Sequence, residues 1–240
     1  DTADELRAAV VAWDELLPEA EIKLETTHID REDWAESWKR FFHPRRVSRR
    51  ITIKPSWCEL PPELDAACVI EIDPGMSFGT GLHGTTLACL KFLDRLAPHM
   101  PEAGLLDVGC GSGILSIAAA KLGFAPVAAL DCDGDAVTCT NENLARNGCD
   151  DVQTQTADIN TFAPDRTWDV VVANMLSQIL VPAVDRLTTA ADADHGRLII
   201  SGILDDEYRR TLAVFTDAGW VEDQNLLINE WRSGLLRRAP

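Results

Sequence analysis

The stretch Leu105-Leu-Asp107-Val-Gly109-Cys-Gly111-Ser-Gly113-Ile114 decides the fold of this 240-residue chain. Its first four residues predict a short buried strand, and residues 113–122, rich in Ala and Ile, predict a helix. Glycines at 109, 111 and 113 join the two in a tight turn that lets backbone approach a ligand closely at the helix N-terminus. A dinucleotide fingerprint would read G-x-G-x-x-G. Here the third glycine comes one residue early and position 114 is Ile, so the turn favours a nucleoside carrying an amino acid over a pyrophosphate. A glycine-rich strand-to-helix turn also occurs for purely structural reasons, so its neighbours must carry the argument.

Strands are predicted outward from it at residues 127–131, 152–156, 170–173 and 197–201, with helices at 135–147, 177–190 and 205–218. Strands at 221–228 and 231–237 close the chain as a hairpin. Alternating strand and helix with short connections predict an α/β fold, a doubly wound and mostly parallel sheet. Ligands of such sheets lie across the carboxyl ends of the strands. Asp131 ends the second strand, where a carboxylate can accept both ribose hydroxyls. The competing reading, a helix N-cap, is open to Asp133 or Asp135 instead. Asp158, just past the third strand, can meet an adenine amino group or simply form a turn. Asn174 ends the fourth strand and offers a donor and an acceptor to the amino-acid end of the ligand or to an incoming amine.

Before the first of these strands runs Asp73-Pro-Gly-Met-Ser-Phe78-Gly-Thr-Gly-Leu-His83-Gly84-Thr85-Thr86, a glycine-rich loop leading into a helix. Its position suggests a lid over the cleft, with Phe78 and Thr86 towards the ligand. His83 is a weaker candidate for positioning an acceptor, since a lone His is more often structural. Upstream, a helix is expected at residues 4–17, a strand at 22–26 and a helix from Asp30 to about residue 42. A stretch through Pro55, Pro61 and Pro62 then reads as a connector. Residues 1–45 are too few to hold a core alone, so the expected division is a short α+β segment at 1–45 and the main domain at 46–240.

Composition narrows the function further. Asp and Glu number 39 against 22 Lys and Arg, a net charge of −17, which repels nucleic-acid backbone and attracts basic partners. Arg45, Arg46, Arg49 and Arg50 form the one basic cluster, read as solvated charge on the connector. Seven cysteines without a Cys-x-x-Cys pair argue against a zinc cage or a disulfide framework and for buried thiols in a reducing cytoplasm. No bound metal is expected. No apolar run approaches the ~20 residues that span a bilayer, and no signal peptide is visible. Position 1 is Asp rather than Met, as in a fragment or a processed chain.

Together these residues resemble the bacterial ribosomal-protein-L11 methyltransferases, the PrmA family. The likeness lies in residues 73–86, in Leu-Asp-Val-Gly-Cys-Gly-Ser-Gly-Ile-Leu (106–115) and in Val-Val-Ala-Asn (171–174). Asp33-Trp34, Trp38-Lys39, Phe42-His43-Pro44, Pro55-Ser56-Trp57 and Ser201-Gly202-Ile203-Leu204 extend it, so that it runs from about residue 30 to the end. The resemblance implies a seven-stranded class I methyltransferase domain that binds S-adenosylmethionine through positions matching Thr86, Gly109, Asp131 and Asn174. It implies transfer to amines of a ribosomal protein, lysine side chains and the N-terminal amine, with a basic large-subunit protein as partner. Asn174-Met-Leu-Ser departs from the Asn-Pro-Pro-Tyr of nucleic-acid and glutamine methyltransferases, which argues against a flipped base or a planar amide as acceptor. Gly84 departs from the family's usual Pro and is read as loosening the loop. The family's N-terminal recognition domain looks only partly present. A different protein lysine or small amine, or a donor-binding scaffold without catalysis, are the alternatives.

Overall fold

Short aliphatic runs such as Val170–Ala173 make the middle of this molecule, because strands buried on both faces are mostly apolar along their length. The computed structural model describes residues 38–73 and 83–239. The helices and strand expected before residue 38, and Phe78 with the rest of 74–82, lie outside the described residues. The end of the expected helix up to residue 42 is a 3-10 turn at Trp38–Phe41.

The main sheet has seven strands. β4 (Leu105–Val108), β5 (Val127–Asp131), β6 (Gln153–Thr156), β7 (Val170–Asn174) and β8 (Arg197–Leu204) run parallel to one another. β9 (Trp220–Ile228) and β10 (Trp231–Arg238) form an antiparallel hairpin, with β10 pairing β8. The order is β6-β5-β4-β7-β8-β10-β9, so the strand order reverses beside β4 and opens a crevice there. Helices α1 (Gly84–Leu96), α2 (Ile114–Leu122) and α3 (Gly134–Arg146) contribute to one buried cluster, with Leu90, Phe92, Ile117 and Leu144. Helices α4 (Ser177–Leu180), α5 (Val184–Ala190) and α6 (Asp205–Asp217) contribute to the other, with Leu180, Leu187 and Phe215. The doubly wound, mostly parallel seven-stranded sheet is therefore observed, and residues 43–240 cluster as one unit.

Three expectations about these elements need correction. The connector through Pro55, Pro61 and Pro62 is bracketed by a three-stranded sheet: β1 (Arg45–Arg46), β2 (Ile51–Lys54) and β3 (Cys68–Glu71). Ile51, Ile53, Cys68 and Ile70 alternate inward and join the cluster of α1 and α2, a period-2 signal that the prolines between the strands disguise. The Asn147 side chain pins this sheet, accepting from Glu71 N at 2.9 Å and donating to its carbonyl at 2.7 Å. The basic cluster is also less free than expected. Arg46 donates to the carbonyls of Glu63 (3.0 Å) and Asp65 (2.7 Å), and Arg50 pairs with Asp94 at 2.6 Å. The helix expected over 177–190 is two short ones, α4 and α5. Pro182 lies between them, and a proline inside a helix removes one hydrogen bond and clashes with the preceding turn.

All seven cysteines are free thiols, and Cys68, Cys89, Cys110 and Cys149 are buried. Burial pushes the Cys68 thiol up to about 11 and those of Cys89 and Cys110 up to about 12, which keeps them protonated. Cys132 is exposed, against the general expectation of buried thiols. Among the described residues no group of His, Cys, Asp and Glu could hold a metal ion, and no helix is long and apolar enough to cross a membrane.

Candidate active site

The glycine turn is built by backbone conformation. Gly109, Gly111 and Gly113 have φ of 74°, 55° and 77°, the left-handed region that side chains avoid. Two of the positions are also crowded. A Cβ at Gly113 would stand 2.8 Å from Thr140 Cγ2, and one at Gly109 would stand 3.1 Å from the Met175 side chain. Gly113 is the N-cap of α2 and supplies no side-chain cap, so first-turn N–H groups are left for another partner. Ile114 and Leu115 of that turn line a cavity of about 570 Å³ at the carboxyl ends of the strands. That volume suits a small-molecule ligand.

The cavity brings together most of the residues picked out in the sequence. Thr86, Gly109, Gly111, Asp131, Asp158, Asn174 and His83 all line it. Gly113 stands behind the turn rather than on the cavity wall. Asp131 is held in place by two backbone donors: Gly111 N gives its Oδ2 a hydrogen bond at 3.0 Å, and Asp133 N gives its Oδ1 one at 3.1 Å. Each oxygen keeps lone-pair capacity for a further donor. Asp133 is the N-cap of α3, accepting from Asp135 N at 2.9 Å, so Asp131 is not needed for that task. Asp158 turns its Oδ1 to Asn160 N and Nδ2, both at 2.9 Å, so both of its readings stay compatible with the geometry.

Two further polar atoms of the cavity lining lack partners. Thr86 Oγ1 and Asn174 Oδ1 are buried with no hydrogen-bond partner among the described residues. Such orphans are costly, about 1–3 kcal/mol each, unless something else satisfies them. Thr86 is set by contacts the sequence did not reveal. Ser201 on β8 donates to the Thr85 carbonyl at 3.1 Å and shares a 2.7 Å hydrogen bond with Ser233 on β10. Both serines are buried, and Ser201 interrupts the aliphatic run of β8, which is the signal that could have found it. His83 Nδ1 lies 2.8 Å from Thr85 Oγ1, and its ring meets Trp231 edge-on at 5.1 Å. Gly84 has a packing role besides. A Cβ there would stand 2.8 Å from the Ile228 carbonyl, so the residue lets the β9–β10 hairpin close onto the start of α1. Trp231, Met175, Leu176, Ile179 and Gly202 also line the cavity and were missed.

Behind the turn, Asp107 is buried and accepts a 2.6 Å hydrogen bond from Ser116 Oγ, while its Oδ1 has no partner among the described residues. Burial pushes its carboxyl up to about 6, above the ~3.9 of an unfolded Asp. A raised value in the folded state means stability that is full below the unfolded value and is lost as pH rises through about 6. The gap in unfolding free energy between the ligand-free wild type and Asp107→Asn should therefore move by about 1 kcal/mol in favour of the variant between roughly pH 5 and pH 7.5. Urea titrations at the two pH values test this; a constant gap would mean that Asp107 titrates normally.

A reversed-order parallel sheet with a hairpin edge, a three-glycine turn after its first strand and an acid at the next strand end define a class I methyltransferase fold. The chain shares it with solved structures, among them the ribosomal protein L11 methylase of Lactobacillus delbrueckii subsp. bulgaricus. That match has a TM-score of 0.76 at 30% identity, covering 83% of this chain and 100% of the other. The family model for ribosomal protein L11 methyltransferase (PrmA) matches residues 2–238, and the chain belongs to that family. Among curated relatives, the ribosomal protein L11 methyltransferase of Caldanaerobacter subterraneus subsp. tengcongensis is 40% identical over 187 residues, 78% of this chain and 59% of the relative. That of Citrifermentans bemidjiense is 44% identical over 218 residues, 89% of this chain and 69% of the relative. The match to the first of these thus spans less than two thirds of its length.

Proposed function

We propose that this chain transfers methyl groups from S-adenosylmethionine to amines of a ribosomal protein, both lysine side chains and the N-terminal amine. One observation carries the reading: a single cavity is lined by Asp131, by the glycine turn and by two partnerless oxygens, Thr86 Oγ1 and Asn174 Oδ1. A methyl donor made of a nucleoside and an amino acid fits that lining, with Gly109, Gly111 and Asp158 beside Asp131 as its further contacts and Gly113 shaping the turn. The names of the relatives support a ribosomal protein as acceptor. The net charge of −17 suits a basic one rather than DNA, and the cytoplasm is where such an acceptor is made. Residues 1–45 are read as part of a recognition segment and 46–240 as the donor-binding domain.

When bound, the donor supplies an electrophilic methyl group on a positively charged sulfur. The protein's own task is to hold the acceptor nitrogen at roughly 3–3.5 Å from the reacting carbon, unprotonated. Asn174 Oδ1 and Thr86 Oγ1 can accept hydrogen bonds from a neutral amine and turn its lone pair away from themselves. A lysine with pKa of about 10.4 is neutral in only about 4 molecules per 10,000 at pH 7, an N-terminal amine in roughly a tenth. Neither Thr86 nor Asn174 is a base at these pH values, so water takes the proton before transfer. Incubation with methyl-labelled donor and purified ribosomal protein L11 should leave label on methyl-lysine after acid hydrolysis, at a rate that climbs between about pH 7 and 9. A chain that binds the donor yet labels no amine would be a scaffold, and the reading would fall.

A further inference from the structure

We propose that Leu176 and Ile179 form a shelf for the aliphatic stem of a lysine acceptor, making them determinants of acceptor specificity. This rests on the methyl-transfer reading above. Asp131 ends β5 and Asp158 follows β6, on one side of β4. Asn174 ends β7 and Trp231 begins β10, on the other side. Leu176 and Ile179 follow β7, and α4 packs against β8 and α6, so the pair belongs to the end where the acceptor must enter.

Their chemistry is out of place unless something covers them. Leu176 is 46% exposed and Ile179 42%, and both line the cavity. The Ile179 N–H donates to the Leu176 carbonyl at 2.9 Å, so one helical turn separates them and they stand on one face. Deeper in the same cavity lie the buried, partnerless Thr86 Oγ1 and Asn174 Oδ1. Apolar surface at the mouth and unsatisfied acceptors inside match an amine at the tip of a hydrocarbon stem, a side chain that is apolar along its length and polar at its end. The stem also shields the amine from water, which raises the fraction in the free-base form. An N-terminal amine has no stem and gains little from the shelf.

The test is a set of acetylated, amidated peptides, Ala-Arg-Ala-X-Ala-Arg-Ala, with X as lysine, norleucine or alanine. Norleucine keeps the stem and lacks the amine, so its binding reports the shelf alone. By fluorescence anisotropy the 240-residue chain should bind the norleucine peptide about tenfold tighter than the alanine one. In the Leu176→Ser/Ile179→Ser double variant that ratio should fall below about twofold, while Leu176→Met should keep it. An unchanged thermal shift with S-adenosylmethionine would show that the double variant is folded. Should that variant prove unfolded, Ile179→Ser alone must lower the ratio. No discrimination in the wild type, or an equal ratio in variant and wild type, would overturn the shelf. Failure of the wild type to methylate the lysine peptide would instead count against the proposed activity, so the two outcomes are read separately.

Discussion

Asp131→Ala is expected to abolish the thermal stabilisation that S-adenosylmethionine gives this chain. At 100 times its dissociation constant a ligand stabilises by about 2.7 kcal/mol. Both Asp131 oxygens already accept a backbone N–H, which locks the carboxylate at the strand end with its remaining lone pairs towards the cavity. Losing two charge-assisted hydrogen bonds to ribose hydroxyls, each worth about 1.5–3 kcal/mol, weakens binding a hundredfold or more. At the same ligand concentration less than about 0.5 kcal/mol of stabilisation would remain. The substitution also frees Gly111 N, which loosens the turn and acts in the same direction. Differential scanning fluorimetry with S-adenosylmethionine and, separately, NAD measures the effect. An undiminished shift would mean that Asp131 does not hold the ribose, and a shift with NAD would favour a dinucleotide.

The second large effect is expected at Asn174. Asn174→Ala should lower turnover by about a hundredfold or more, since a misplacement of about 1 Å in a near-attack arrangement costs that much. Because Asn174 is also a candidate contact for the donor's amino-acid end, turnover is read at saturating S-adenosylmethionine, where weakened donor binding does not limit it. Asn174→Asp gives a sharper contrast. It keeps an acceptor in place but adds a negative charge, which holds the incoming amine in its ammonium form and moves the pH–rate curve upward. Single-turnover kinetics on labelled ribosomal protein L11 across pH 7 to 10 would separate the two variants. Near-normal rates in Asn174→Ala would assign the amine's placement to other groups.

The class of fold was legible because its signals are local. Val170, Val171 and Val172 are apolar positions of a strand that proved to be buried on both faces, and Gly148, with φ of 66°, follows the helix expected over 135–147. The small sheet β1-β2-β3 was hidden because each strand is four residues or fewer, its apolar face reduced to Ile51 and Ile53 or Cys68 and Ile70. The packing role of Gly84 was hidden for a different reason. Its closeness to the Ile228 carbonyl joins residues 144 positions apart (228 − 84), and no local pattern encodes such a contact.

The sequence alone determined the alternation of strands and helices in the main domain and the polar residues at the strand ends, since turn conformation and strand burial depend on neighbours within a few residues. Only the tertiary structure decided what surrounds the acceptor. Trp231 and Gly202 reach the cavity through pairing of β10 with β8, the Thr85 carbonyl beside Thr86 is held by Ser201, which also bonds Ser233, and Leu176 and Ile179 stay partly exposed on the cavity wall. These are contacts between distant segments, and only packing of the sheet edge against α1 and α4 brings them to one place.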